Sequence, residues 1–345
     1  MNLQDLGWDE GFAASFEPHD KEGLVPGRVS AQHRGGYDVL AEAGERRARL
    51  AGRLRHEAAS AADLPAVGDW VALREETIQA VLSRRSAFSR KAAWASTEEQ
   101  VLAANIDTVF VVSGLDADLN ARRLERYLTL AWESGATPVL VLTKSDLCPD
   151  VAEALLAVEP VALGVPVHPV SNVTGAGLEE LDPYLAPART IALLGSSGVG
   201  KSSLANRLAG AELQATREIA EDGRGRHTTT GRQLIRLPGG ALLVDTPGLR
   251  ELQLWDAGEG IQEAFADVDE LAADCRFSDC THTREPGCAV QAAVDEGRLA
   301  RERLQSYGQL QRELERLAMK QDARLRSEAR KKRAAFARSM RRPSW

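Results

Sequence analysis

The fold class is decided by one stretch of the sequence, in which an apolar run leads into a glycine-rich loop and then into a helical segment: Thr190-Ile191-Ala192-Leu193-Leu194-Gly195-Ser196-Ser197-Gly198-Val199-Gly200-Lys201-Ser202-Ser203. The loop matches the pattern G-x-x-x-x-G-K-[ST]. Its glycines let backbone N–H groups wrap a phosphate chain, Lys201 neutralises phosphate oxygens, and Ser202 reaches Mg²⁺. Because strand, loop and helix follow in the order that this chemistry needs, we predict an α/β P-loop domain that binds a nucleotide.

A second motif, Asp245-Thr246-Pro247-Gly248, follows the apolar run Ala241 to Val244 and matches the D-x-x-G pattern of GTPases. In that pattern Asp245 holds Mg²⁺ through water, and the Gly248 amide contacts the γ-phosphate. Alone, such a sequence is usually an ordinary turn. Behind a phosphate loop at this distance, the nucleotide-binding interpretation is favoured.

Guanine recognition is predicted by Thr143-Lys144-Ser145-Asp146, which follow an apolar run and resemble the N-K-x-D motif. The Asp146 carboxylate would accept two hydrogen bonds, from guanine N1–H and N2–H₂, a pair that adenine cannot supply. Thr143 stands where the motif usually has Asn, and its shorter hydroxyl can still bond across to the phosphate loop. Ser171, after the next apolar run, fits the loop that backs the base.

The order of these motifs is unusual. In ordinary GTPases the phosphate loop precedes the base motif, whereas here residues 143–146 and 171 precede residues 195–202. We therefore predict a circularly permuted GTPase domain. The permutation places Asp245 to Gly248 at the C-terminal end of that domain.

The segment from Gly223 to Gly231 is basic and rich in threonine, and it occupies the position of switch one. Thr229 and Thr230 are the candidates to contact Mg²⁺ and the γ-phosphate; the alternative is an ordinary surface loop. Leu249 replaces the Gln that orients the attacking water in Ras-like enzymes, so intrinsic hydrolysis is expected to be slow. His227 is the titratable switch-loop side chain that could place the water, and with Lys201 it completes the catalytic candidates.

Three cysteines and one histidine, Cys275, Cys280, His282 and Cys288, give the spacing C-x4-C-x-H-x5-C. Such a Cys3His set fills all four positions of tetrahedral Zn²⁺, which is the pattern of a structural site. A zinc-dependent hydrolase is disfavoured because its metal would need an open position. Binding one zinc ion would also stabilise a region too small for a large core.

The flanking regions differ from the central one in pattern. Short alternating runs between Pro26 and Lys91 predict a small all-β barrel, either an OB-fold or an SH3-like barrel. We expect an N-terminal extension at 1–25, an OB-like barrel at 26–100, the permuted GTPase domain at 101–256, and a helical zinc-binding domain at 257–345 that ends in a long helix from about Tyr307 to Arg338. The extension itself carries no sequence signal.

Charge is distributed unevenly over the 345 residues, whose formal net charge is −7. From Arg298 onward there are 15 Lys and Arg against 5 Asp and Glu, with a cluster at residues 330–333. This tail fits contact with a phosphate backbone, and the alternative is a solvated helical face. Without a long apolar run or a signal-like start, the sequence predicts a cytoplasmic protein with no membrane partner; we expect a monomer.

Taken together, the permuted motif order, the barrel with Pro65 to Val71, the loop Gly225 to Thr230 and the cysteine set resemble the RsgA (YjeQ/EngC) family of circularly permuted GTPases. The resemblance covers roughly Gly27 to the C-terminal helix. It implies a bacterial assembly factor that binds the immature small ribosomal subunit and its rRNA, checks late maturation near the decoding region, and leaves after GTP hydrolysis that the subunit stimulates. It also implies nucleotide roles for Thr143, Lys144, Asp146 and residues 195–203, zinc roles for the cysteine set, and a catalytic role for His227.

A second function remains open at this stage. The same motifs would serve a GTP-regulated RNA-binding or stress-response switch that does not depend on ribosomes. The two hypotheses differ in whether small subunits stimulate GTP hydrolysis.

Overall fold

The computed structural model describes residues 1–33, 35–91, 99–116, 119–210, 232–245, 258–283 and 285–321, and within them the chain forms thirteen strands and nine α-helices. The strands are β1 (Val25–His33), β2 (Gly36–Ala41), β3 (Gly44–Leu50), β4 (Trp70–Arg74), β5 (Thr77–Val81), β6 (Ala87–Lys91), β7 (Glu99–Ala104), β8 (Thr108–Gly114), β9 (Thr137–Thr143), β10 (Val167–Pro169), β11 (Thr190–Leu194), β12 (Gln233–Arg236) and β13 (Leu242–Asp245). The helices are α1 (Glu10–Asp20), α2 (Gly52–Glu57), α3 (Ala121–Glu133), α4 (Val151–Val158), α5 (Lys201–Ala209), α6 (Gly258–Ala264), α7 (Ala266–Ala272), α8 (Ala289–Asp295) and α9 (Arg301–Gln321).

The central sheet has the strand order β10-β9-β8-β11-β13-β12, and its first five strands are mutually parallel. Only the sixth strand, β12, runs antiparallel, against β13. Parallel neighbours need long crossovers, which α3 supplies between β8 and β9 and α4 between β9 and β10. The α/β class predicted from the apolar runs is confirmed. The carboxyl ends of the five parallel strands consequently meet at one edge of the sheet.

Both faces of this sheet are buried, as the continuous apolar runs require. Successive residues of β8 alternate between two cores: Val109 and Val111 belong to one, and Phe110 and Val112 to the other. Helix α3 covers the first core, while Leu204 of α5 lies in the second. Helices α3 and α5 therefore pack against opposite apolar faces of the sheet.

The N-terminal barrel contains β1 to β5 in the order β1-β2-β3-β5-β4, and β4 pairs back onto β1 to close it. Its interior is formed by fully buried side chains that include Val29, Val39, Val71 and Ile78. Of the two barrels that the sequence allowed, five closed strands in this order favour the OB kind. The barrel is continuous with the central sheet, because Ala31 of β1 pairs with Gln233 of β12.

Residues 1–24, which carried no sequence signal, pack against the barrel. Helix α1 is capped by Asp9, whose carboxylate accepts two backbone N–H groups of the first turn. Trp8 and Phe12 lie against the buried Trp70 of β4, with ring centroids 4.7 Å and 5.8 Å away. These aromatic contacts make the extension a part of the core that Trp70 shares with the central domain, which is separate from the barrel interior.

The buried side chain of Arg28 lies where this N-terminal segment, the barrel and the central domain meet. Its guanidinium donates to the carbonyl oxygens of Leu6, Gly68 (3.1 Å) and Asn105 (3.0 Å), one from each region. Burial lowers the pKa of Arg28 to about 10, so the group stays protonated at neutral pH. Three carbonyl acceptors thus compensate the loss of water around this charge.

A second buried arginine attaches the C-terminal helices to the central domain. Arg303 of α9 donates to both carboxylate oxygens of Asp267 (2.6 Å each) and to the Ala264 carbonyl (2.9 Å). It also reaches the Glu125 carboxylate on α3 at 3.2 Å, and this side chain is as buried as Arg303 itself. Desolvation raises the pKa of Glu125 above its usual range despite the cation. The junction therefore depends on a paired buried charge.

The C-terminal helix begins at Arg301, six residues before the predicted start near Tyr307. Its predicted continuation to Arg338, including the basic cluster, lies outside the described residues. None of the helices described combines the length and the apolar character that a bilayer-spanning helix needs.

Replacing Arg303 with methionine is expected to lower the free energy of unfolding by about 3 kcal/mol or more at pH 7.5, because Glu125 and Asp267 lose their buried cation. Urea unfolding followed by tryptophan fluorescence measures this loss. The loss of unfolding free energy in Arg303→Met should become smaller as the pH falls. Glu125 has a raised folded-state pKa that rises further without the cation, so its protonated form stabilises the folded variant at acidic pH.

The matched control is Arg298→Met, which breaks an exposed pair with Glu296 and should change stability by less than about 0.5 kcal/mol. The double variant Arg303→Met with Glu125→Gln should recover part of the loss. Equal destabilisation by Arg298→Met and Arg303→Met would contradict a special role for the buried pair.

Candidate nucleotide site and cysteine cluster

The phosphate loop connects β11 to α5 at the carboxyl edge of the central sheet. Gly195 has φ +152°, and a Cβ there would lie 2.2 Å from the Val112 carbonyl oxygen on the neighbouring strand β8. Gly200 has φ +92° and is the N-cap of α5. Both glycines of the motif are thus required by the backbone, one by close approach to a strand and one by a left-handed conformation.

Lys201, the first residue of α5, folds over the loop that precedes it. Its Nζ donates to the carbonyl oxygens of Gly195 (2.7 Å) and Ser196. Ser202 and Ser203 follow in the first turn and are exposed, as are Ser197 and Gly198 in the loop, while Val199 is buried. The helix N-terminus and a lysine charge therefore face the same exposed surface, which favours an anion.

Thr143 ends strand β9 and is fully buried. Its Oγ1 lies 2.5 Å from the Val199 carbonyl oxygen in the phosphate loop and 3.2 Å from that of Ser113. The structure thus shows the contact across to the phosphate loop that the threonine hydroxyl was expected to make.

Lys144 adopts a left-handed conformation with φ +62°, which turns the chain out of the strand. Its Nζ lies 2.5 Å from the Asp116 carboxylate, just beyond the end of β8. The backbone N–H of Ser145 donates to the Val170 carbonyl at 3.2 Å. Asp116 was missed in the sequence, although an acidic residue directly after the strand that neighbours β9 was an available signal.

Asp146 is exposed and is held by a residue from the next loop. The Ser171 hydroxyl donates to its Oδ1 at 2.6 Å, and the same hydroxyl oxygen accepts the backbone N–H groups of Val173 (3.2 Å) and Thr174 (3.1 Å). The Ser171 loop, which was expected to back the base, is thereby brought next to the carboxylate that we assign to guanine. The free side of Asp146 remains open to a hydrogen-bond donor.

Asp245 is the last residue of β13 and is half-buried. Because β13 is the parallel neighbour of β11, Asp245 lies at the same sheet edge as the phosphate loop. Gly248, Leu249, His227, Thr229 and Thr230 lie outside the described residues.

The phosphate loop also receives a contact that the sequence did not indicate. Tyr127 of α3 places its hydroxyl 3.1 Å from the Ser196 hydroxyl. Periodicity marked this helix only as amphipathic, so a polar side chain reaching the loop could not be distinguished from one facing solvent.

The cysteine cluster is a separate site on the C-terminal helices. The ligand atoms of Cys275, Cys280, His282 and Cys288 all lie within 4.8 Å of one another. The Cys275 and Cys288 sulfurs are 3.9 Å apart, and His282 Nδ1 is 3.6 Å and 3.5 Å from them. Zinc–sulfur bonds of about 2.3 Å in a tetrahedron place two sulfurs about 3.8 Å apart, so the donor set fits Zn²⁺.

The backbone around the cluster holds the donors in place. His282 has φ +56°, and its carbonyl accepts the Gln291 side-chain amide at 2.6 Å. Cys288 caps α8, with its sulfur accepting the Gln291 backbone N–H at 3.4 Å. Desolvation and the neighbouring sulfurs raise the pKa of the Cys280 thiol to about 11, so a metal ion that binds this sulfur at neutral pH must displace its proton.

A parallel sheet with a phosphate loop and a guanine-type motif in permuted order defines this chain as a circularly permuted P-loop GTPase. The family model described as RsgA GTPase matches residues 81–255. With relatives about half identical over nearly the whole chain, the protein belongs to the RsgA GTPase family, whose members hydrolyse GTP.

Among similar proteins, the small ribosomal subunit biogenesis GTPase RsgA of Opitutus terrae is 52% identical, covering 91% of this chain and 90% of that protein. The protein of the same name from Streptomyces coelicolor is 47% identical, covering 95% and 91%. The crystal structure of YjeQ from Thermotoga maritima superimposes with a TM-score of 0.63 at 29% identity, covering 84% of this chain and 98% of that one. YloQ, a circularly permuted GTPase, shares the fold at a TM-score of 0.60.

Proposed function

We propose that this chain binds the small ribosomal subunit during late maturation, hydrolyses GTP there, and is released by the hydrolysis. The GTP part is supported by one observation: the base motif, in which Ser171 holds the Asp146 carboxylate, contacts the phosphate loop through Thr143. The ribosomal part is supported by the names of relatives that match the chain over nine-tenths of its length.

In the nucleotide site, we assign Asp146 to guanine N1–H and N2–H₂, with Ser171 orienting it and Thr143, Lys144 and Ser145 shaping the base loop. Residues 195–203 bind the phosphates, and Lys201 neutralises their oxygens. Ser202 and Asp245 hold Mg²⁺, directly and through water. Gly248 contacts the γ-phosphate.

For hydrolysis, we assign Thr229 or Thr230 to Mg²⁺ and the γ-phosphate, and His227 to the attacking water. GTP acts as the ordering ligand: its γ-phosphate and Mg²⁺ hold the switch segments, and hydrolysis releases them. The two flanking domains then lose their fixed position against the central domain. In this proposal, GTP hydrolysis determines when the chain leaves the subunit.

One structural zinc ion is assigned to the Cys275, Cys280, His282 and Cys288 cluster. The four donors leave no open position, so the metal supplies folding energy instead of chemistry. The proposed domains are those expected from the sequence, with boundaries near residues 25, 100 and 256.

Contact with rRNA is assigned to the barrel and the basic tail. Arg47, Arg49, Arg53 and Arg55 are exposed on β3 and α2. Within the described residues no carboxylate lies within 4 Å of Arg49 or Arg55, so both cations are available to phosphates. We propose that the protein is a monomer. We place it in the cytoplasm, where ribosomal subunits mature.

The sequence also left open a GTP-regulated RNA-binding or stress-response switch, which the names of the relatives do not support. It uses the same site and the same barrel, and it differs in requiring no ribosome.

Purified small subunits are expected to raise GTP turnover by about tenfold or more, which corresponds to about 1.4 kcal/mol of transition-state stabilisation. The intrinsic rate should be slow, because Leu249 cannot orient water as Gln does. Phosphate release is measured with small subunits, with large subunits, and with ATP replacing GTP. His227→Ala should lower the stimulated kcat while GTP affinity is retained. Turnover that neither subunit changes would favour the ribosome-independent switch.

The double variant Arg49→Glu with Arg55→Glu is expected to weaken binding to the small subunit and to reduce the slope of log affinity against log salt by about 1 to 2. Sedimentation with subunits at several salt concentrations measures both quantities. The matched control, Lys21→Glu with Arg298→Glu, makes the same charge change at exposed positions elsewhere. Equal losses in the two double variants would point to net charge instead of a barrel interface.

Metal analysis of the purified protein is expected to find one zinc per chain, and Cys288→Ser should lose it. Cys148→Ser, at a thiol outside the cluster, should retain the metal. Zinc affinity should fall as the pH falls, since binding displaces thiol protons, including that of Cys280. Chelation should melt the C-terminal helices before GDP binding is lost. If GTP turnover stopped on chelation while those helices stayed folded, the structural role would be wrong.

A further inference from the structure

Two loops that carry the base-reading residues donate to neighbouring carbonyls of the phosphate loop. From the first loop, the Thr143 hydroxyl reaches the Val199 carbonyl at 2.5 Å. From the second, the side-chain amide of Asn172 donates to the Gly200 carbonyl at 3.1 Å. A Cβ on Gly200 would lie 3.0 Å from the Asn172 amide nitrogen and 3.4 Å from the Thr143 hydroxyl. Both side chains therefore pack directly onto this glycine.

The acceptor of the Asn172 amide is a structurally important carbonyl. Gly200 is the N-cap of α5, and its carbonyl also accepts the first intrahelical bond, from Leu204 N–H at 2.9 Å. The direction of this N-terminus sets where the phosphate-facing N–H groups and Lys201 point. Asn172 thus holds the helix at the position that matters for phosphate binding.

The same loop is attached to α5 a second time. The Arg207 guanidinium donates to the backbone carbonyls of Asn172 and Val173, at 2.9 Å each. On the other side, Ser171 donates to Asp146. Consecutive residues of one loop therefore join the base-reading carboxylate to the phosphate-binding helix.

The two polar atoms of the Asn172 amide differ in their contacts. Its Nδ2 donates to the Gly200 carbonyl, whereas its Oδ1 lies away from solvent with no hydrogen-bond partner among the described residues. The donated hydrogen bond is therefore the contact by which this side chain holds the phosphate loop.

We propose that Asn172 supplies the amide contact to the phosphate loop that is missing at position 143, where the guanine motif usually has Asn. A threonine hydroxyl carries one hydrogen and can satisfy only one carbonyl, Val199. Asn172 satisfies the next one, Gly200, from the neighbouring loop. It is a positioning residue that couples guanine binding at Asp146 to the phosphate loop, and this inference rests on the proposed GTP site.

The test uses the full-length protein and compares Asn172→Ala and Asn172→Asp with the unchanged protein. We expect the GDP and GTP dissociation constants of Asn172→Ala to rise about five- to tenfold, the effect of one neutral hydrogen bond. Asn172→Asp should lose more, since a carboxylate would face the Gly200 carbonyl. The kcat at saturating GTP should change less than twofold, because Asn172 touches no reacting atom.

The compensating variant is Thr143→Asn combined with Asn172→Ala, which restores the amide at the usual position and should recover most of the lost affinity. Val173→Ala, at an exposed side chain in the same loop, is the control and should bind GDP normally. Nucleotide affinity unchanged in Asn172→Ala, or a lower melting temperature as its only effect, would overturn the inference. Failure of the unchanged protein to prefer GDP over ADP would instead overturn the proposed site.

Discussion

The nucleotide site depends on one constraint, that parallel strands bring their carboxyl ends to the same edge of a sheet. Strands β8, β9, β10, β11 and β13 are mutually parallel. The loops that follow the first four contain Asp116, Asp146, Ser171 and the phosphate loop, and β13 ends at Asp245. Which loop comes first along the chain does not affect this geometry. A circular permutation therefore keeps every contact of the site while it changes where the flanking domains are attached.

The flanking domains are held by buried charges instead of by apolar contact alone. Arg28 joins the N-terminal segment and the barrel to the central domain through three carbonyls, and Arg303 joins the C-terminal helices to α3 through Glu125 and Asp267. A guanidinium presents five donors in a fixed geometry, so it specifies orientation more strictly than an apolar patch of similar area. Loss of either cation leaves buried polar groups without their partner, which is strongly destabilising.

The central fold was predictable from the sequence, and so were the phosphate loop and the base motif as segments, because they depend on local patterns. Apolar runs gave the parallel strands, and glycine spacing gave the phosphate loop. Strand β3 is harder to recognise in the sequence, because Arg46, Arg47 and Arg49 obscure its alternation. The contacts of Tyr127 and Asn172 were missed for another reason: they join residues that are 69 and 28 positions apart. Single-sequence patterns contain no information about such pairs.

Helix α3 has contacts with both the phosphate loop and the C-terminal helices. Tyr127 reaches Ser196, and two residues earlier Glu125 pairs with Arg303; residues two apart on a helix point to different faces. A shift of the phosphate loop at Ser196 would therefore be transmitted to α3, and the other side of α3 is paired with Arg303. Chain connectivity adds a second link, since only residues 246–257 separate Asp245 from α6, which packs on α3. The permutation thus gives the C-terminal helices a covalent connection to the switch in addition to the side-chain junction that any motif order would retain.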